Sequence, residues 1–142
     1  MPEQNYSNHK RYDPLYHFIL MPVSMIGLIL SIINLINAAP VQHYNAALLV
    51  IVFIILFMIV ALTRIYSLKV QNRVIRTEEN FRHFVITGKP LDPALRLGQI
   101  IALRFSSDEE FPALAARAVN EKMSSAEIKK SIKNWRADNH RV

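Results

Sequence analysis

Three carboxylates stand side by side at Asp108, Glu109 and Glu110, the one acidic triplet in a chain of 142 residues. Adjacent carboxylates can push their pKa values apart and divide general-acid and general-base roles. Such a pair needs company: a nucleophile with its base, a metal, or a phosphate cradle. The sequence supplies none. It has no cysteine and only three glycines, and its five histidines (His9, His17, His43, His83, His140) lie far apart without ligand spacing. Acids at the start of a helix are explained more simply by the helix dipole. The expectation is a protein without catalytic residues, metal site or cofactor.

The basic residues offer a second chemistry. From residue 64 onward there are 15 Lys or Arg against 9 Asp or Glu, an excess equal to the net +6 of the whole chain. Lys129, Lys130, Lys133 and Arg136 recur at helical spacing, which predicts a basic helix face. The segment ALAARAVNEKMSSAEIKKSIKNW reads as helix, turn, helix with that basic face on the second helix, the outline of a helix-turn-helix. The turn lacks glycine, however, and no Asn or Gln opens the second helix. Anionic lipid accounts for the same excess, at about 1 kcal/mol per basic residue near the surface. Nucleic acid is therefore a possible partner but not the favoured one.

The elements that would carry these groups are helices, and two of them are apolar throughout. Residues 18–39 and 46–63 contain no Asp, Glu, Lys, Arg or His. About 20 helical residues cross the hydrocarbon core of a bilayer, and a Lys or Arg at its centre costs roughly 2.5–3.5 kcal/mol. Two spans are expected, over about 18–39 and 46–66. The connector at residues 40–45 has no Lys or Arg, whereas Lys10, Arg11, Arg64, Lys69 and Arg73 flank the spans. These five would lie at the lipid headgroups, with both termini cytoplasmic.

The first span should open at Asp13-Pro14, as N-cap and first helical residue, and Pro22 should kink or break it. Within it Ser24, Gly27, Ser31, Asn34 and Ala38 recur at steps of three and four, a stripe suited to close packing on the second span. A transport path would use the same stripe but usually adds an ionisable group, and none is present. The second span runs on without Pro or Gly from 45 to 87, a helix of roughly 60 Å at 1.5 Å per residue. Past the membrane, Val70, Val74, Thr77, Phe81 and Phe84 make a heptad-like stripe, expected to pack on the helices C-terminal to it. Glu78 and Arg82 are spaced for an ion pair, and Gly88 with Lys89-Pro90 forms a stop.

Three further helices are expected. One opens at Asp92-Pro93 and runs to about Phe105. A second begins after Ser107 and reaches about Glu121, with Pro112 delaying or bending it and Phe111, Leu114 and Ala118 buried. The last is announced by Met123, Ser124, Glu127 and Ile128, a hydrophobic staple around a capping box. Its buried face would be Ile128, Ile132 and Trp135, and its wet face the four basic residues named above. The organisation expected is an all-α membrane protein: a polar arm (1–13), a transmembrane helical hairpin (14–68) and a cytoplasmic helical domain (69–142).

The runs KVQNRVIRTEENFRHFVITGKPLD, LGQIIALRF, DEEFPALAARA and EIKKSIKNWRAD resemble a family of small, uncharacterised bacterial membrane proteins with two N-terminal spans and a helical tail. The resemblance implies a bacterial inner-membrane location and carries over no functional residue. Taken with the missing catalytic constellation, it points to an accessory or structural subunit. Phe81, Phe84, Ile128, Ile132 and Trp135 would form its core or meet a partner. A domain of roughly 75 residues is near the lower limit for a self-sufficient core, which favours a homo-oligomer or a larger membrane complex.

Overall fold

Asp13 begins the first helix through its side chain: Oδ1 accepts the backbone N–H of Tyr16 at 2.8 Å, as an N-cap should. The computed structural model describes residues 5, 6 and 12–138. Lys10 and Arg11 lie outside the described residues. The regular elements among the described residues are all helices, with a single isolated bridge between Ser106 and Trp135 and no strand. They fall into two compact units, residues 12–68 and a unit containing residues 69–138.

In the first unit the chain winds as a π-helix over Leu15–Leu20 and continues as α1, Met21–Asn37. The wide turns stand directly before Pro22. Proline has no N–H and its ring crowds the carbonyl four residues back, and here the Met21 N–H reaches five residues back to the Tyr16 carbonyl. Pro22 is thus accommodated by widening rather than by a break. Ala38 is extended, and a 3-10 turn at Pro40–Gln42 leads into α2, His43–Thr87.

α1 and the first part of α2 run antiparallel. Gly27 faces Phe53, Ser31 and Ala46 are buried, and the Tyr16 hydroxyl donates to the Val60 carbonyl at 3.4 Å. Leu15–Asn37 and Pro40–Thr87 are each long and apolar enough to cross a membrane. Most of their large side chains, Phe18, Ile29, Leu30, Ile36, Val52 and Ile55 among them, are exposed.

The second unit begins with residues 69–87 of α2. The helix stops where the sequence says it must: Gly88 takes φ +71 and donates its N–H to the Phe84 carbonyl at 2.8 Å, a left-handed cap that only glycine adopts cheaply. Then come α3 (Leu97–Leu103), α4 (Phe111–Asn120) and α5 (Ser125–Ser131). α3 packs on both α4 and α5. Gly98 lets α3 lie close to α5, since a Cβ there would stand 2.9 Å from the Ser125 hydroxyl. Leu103, Phe105, Phe111, Ala118 and Ile128 form the sealed centre of the core, with Ile132 at its edge. Buried Gln99 serves it: its amide nitrogen donates to the Met123 carbonyl at 2.8 Å, and its oxygen accepts the Arg96 N–H at 2.7 Å.

Three expectations need correction. α3 starts at Leu97, not at Pro93, because Asp92 spends its carboxylate on a local turn to Ala94 and Gln99 caps the helix from within. α5 has its capping box, with Ser124 N–H on Glu127 Oε2 at 2.6 Å and Glu127 N–H on Ser124 Oγ at 3.3 Å. It nevertheless ends at Ser131. Glu110 takes the N–H groups of Lys133 and Asn134, each at 3.2 Å, and the Phe105 carbonyl takes that of Arg136 at 2.7 Å. Backbone donors that a longer helix would satisfy internally are thereby drawn across the domain. The third correction concerns the stripe on α2. Phe81 is 67% exposed and Phe84 52%, so neither is a core residue. The domain packs on another face of the helix, through Ile75, Glu79 and Arg82.

Candidate functional site

Arg82 is the hub of that face. Its Nε donates to Asp108 Oδ1 at 2.6 Å, Nη1 to Glu79 Oε2 at 2.9 Å and Nη2 to the Ser106 carbonyl at 2.7 Å. The guanidinium also lies 4.5 Å from the centroid of the Phe111 ring, a cation–π arrangement. Every edge of the fork is used, and α2 is fastened to the turn between α3 and α4. The expected partner was Glu78, four residues back. Glu79, three residues back, takes the contact because it faces the domain and is buried.

Beside this hub opens a cleft of 590 Å³. One wall is α2, with Gln71, Val74, Ile75, Glu78 and Glu79. The other is Arg104 with Arg136, Ala137 and Asp138. Arg104 is buried, lies 4.7 Å from the Phe105 ring centroid and pairs with Asp138 at 3.2 Å. Among the described residues, three guanidinium groups and four carboxylates thus meet around one opening, fixed by packing at Arg82 and Arg104. Burial pushes the Glu79 carboxyl above its usual range, against the hydrogen bond and charge of Arg82. Among the described residues, the lining contains no hydroxyl, thiol, amine or imidazole. The acidic triplet is split: Asp108 holds Arg82, Glu110 holds the 133–134 backbone, and Glu109 is exposed, its pKa lowered by the Ser107 hydroxyl.

The basic residues expected on one wet helix face do not share one. Lys129 stands over the Phe105 ring at 5.8 Å and Lys130 over Tyr6 at 5.7 Å. Lys133 and Arg136 come after the end of α5, and Arg136 turns to the cleft. Trp135, half-buried, packs on Phe105 with centroids 5.2 Å apart. Of the residues expected at the headgroups, Arg64 covers the Tyr16 ring at 5.6 Å, while Lys69 and Arg73 are exposed.

The stripe on α1 is partly as spaced and partly not. A Cβ on Gly27 would fall 2.3 Å from Phe53 Cε1. Ser31 is buried and Ser24 half-buried, yet both hydroxyls donate within their own helix, to Leu28 at 2.7 Å and Met21 at 2.9 Å. Asn34 is exposed and off the packed face, whose later members are Leu35 and Ala38. Sequence reasoning missed Glu79, Arg104 and Asp138. An acid three residues before an arginine was the available signal for the first.

Residues 1–142 match a family of unknown function (DUF6526), and the chain belongs to it. Comparison with curated proteins and with solved structures finds no match.

Proposed function

We propose that this chain is a non-enzymatic accessory subunit of the bacterial inner membrane, anchored by two spans and offering a basic helical domain to a protein partner in the cytoplasm. The observation that carries the reading is the exposure of apolar side chains around both helices of residues 15–66. Soluble proteins rarely leave contiguous apolar surface of that extent in water. The Lys/Arg-free connector supports both termini on the cytoplasmic side. The latch at Arg82 and the inward ties of Glu110 support a domain built as a rigid docking body. The nucleic-acid alternative asks for Lys129, Lys130, Lys133 and Arg136 on a single helix, and α5 ends before the last two.

Topology and partnership are tested together in the full chain. Gln42→Cys should react with a membrane-impermeant thiol reagent in intact cells, and Ala126→Cys only after lysis. Extraction in mild detergent should then recover a protein at fixed stoichiometry. Labelling of Ala126→Cys alone in intact cells would invert the topology, and a chain released by carbonate would refute the anchor.

A further inference from the structure

Among the described residues, little covers the apolar stripe on the second unit's helix. Val70 is 64% exposed, Val74 49%, Phe81 67% and Phe84 52%, and Thr77 between them is exposed too. At about 100° per residue these five span an arc of about 80°. The residues that meet the domain, Ile75, Glu79 and Arg82, centre roughly 140° away on the same wheel. Asn80, whose side chain accepts the Leu91 N–H at 2.9 Å, bounds the arc on its other side. Val74, at the edge of the arc, also borders the cleft; the rest of the stripe lies in a sector that the described residues of the domain leave open.

We infer that a second copy of this chain covers it, as a parallel two-helix coiled coil over residues 70–84. The spacing of 4, 3, 4, 3 places Val70, Thr77 and Phe84 at d positions and Val74 and Phe81 at a. Arg73 then falls at g and Glu78 at the following e. A parallel coiled coil sets g of one helix against the next e of its partner. Each Arg73 thereby meets the partner's Glu78, opposite charges at both ends of a two-fold related pair. Both side chains are exposed. An antiparallel pairing would forfeit that match.

The inference rests on the proposed membrane anchoring, which supplies two things. Copies inserted with one topology leave the membrane in the same direction, so these helices are parallel without further instruction. Anchoring also raises the effective concentration. That matters because two heptads alone are too short to hold in dilute solution; isolated helices of 12–15 residues are marginal. Here the nucleus is already formed, since residues 70–84 are helical within their own unit.

The chain has no cysteine, which makes disulfide trapping clean. In membranes containing the full chain, Thr77→Cys should yield a disulfide-linked dimer on mild oxidation, at least tenfold more than Arg76→Cys on another face of the helix. Glu78→Arg should cut that yield severalfold, and Arg73→Glu added to it should restore it. Equal yields at positions 77 and 76, or a charge swap without recovery, would overturn the coiled coil. So would protection of Thr77→Cys from an aqueous thiol reagent without any dimer, the mark of a helix lying on lipid. Fractionation of the same variants keeps the two readings apart. A chain retained in the membrane but not trapped refutes only the dimer, whereas a chain lost to the soluble fraction refutes the anchor.

Discussion

Removing the guanidinium at Arg82 should unfasten the domain, and the loss should depend on pH. The Glu79 and Arg82 side chains are only 9% and 11% exposed, whereas the Asp108 carboxylate is 65% exposed. The Asp108 pair is therefore screened and contributes about 0–1 kcal/mol. The Glu79 pair is different: deleting one partner strands a buried charge, at a cost of about 3–5 kcal/mol. The Ser106 carbonyl also loses its donor. Against a total stability of about 5–10 kcal/mol for a domain of this size, Arg82→Ala should consume much of it. With a urea slope of about 1–2 kcal/mol per molar, the midpoint should fall by about 2 M or more. Trp135, the chain's single tryptophan, reports unfolding through its contact with Phe105 in the detergent-solubilised full chain. Glu79 sets the sign of the pH effect. Its folded pKa lies above its unfolded one, so the folded state holds more protons between the two, and stability falls as pH rises through that window. Without Arg82 the opposing pull is gone and the folded pKa rises further. The penalty should be largest at neutral pH and shrink as Glu79 is protonated in mild acid. Arg82→Ala combined with Glu79→Gln should recover part of the loss at neutral pH. A loss below about 1 kcal/mol, or one equal in mild acid and at neutral pH, would refute the assignment of Arg82 as the counter-charge of Glu79.

Gly27→Ala should destabilise the α1–α2 contact by about 1–3 kcal/mol by driving a methyl into Phe53. Phe53→Leu in the same chain should relieve it, read as thermal inactivation in detergent, while exposed Leu30→Ala should do little. Trp135→Ala should cost roughly 2–3 kcal/mol, less than a fully buried tryptophan because it is half-exposed, read by far-UV circular dichroism during urea unfolding. Reversal of Lys129 and Lys130 to Glu should leave stability within about 1 kcal/mol. Duplex DNA should bind the full chain weakly at physiological salt; submicromolar binding abolished by those reversals would restore the nucleic-acid reading.

Local signals carried far where the physics was local. Asp13, Gly88 and the Ser124–Glu127 box each act within a few residues, and each holds its helix end as the sequence implies. The errors arise where a distant group competes. Ile132 to Trp135 keep helical spacing, but Glu110, more than twenty residues earlier, captures their backbone. Phe81 and Phe84 were legible as an apolar stripe, yet periodicity does not say whether a stripe faces its own domain or open space. Spacing alone pairs Arg82 with Glu78, because burial, which selects Glu79 instead, is a property of the tertiary packing. The cleft behind it was illegible for the same reason: Arg104 and Asp138 meet across 34 positions of sequence.

The wide turns at Leu15–Leu20 have a consequence for how this segment tolerates change in length. A π-turn holds one residue more than an α-turn over the same rise, so the helix carries one residue in excess of the α-helical count here. That extra residue rotates the start of the helix, including Tyr16, by about one helical step, roughly 100°, relative to α1. Tyr16, which reaches the Val60 carbonyl and lies under Arg64, owes its orientation to that rotation. Deleting one residue within 17–20 would let the helix close to α geometry and swing Tyr16 away from the second helix, with Gly27 and Phe53 undisturbed. Losing a residue here changes a contact without shifting the register of the rest.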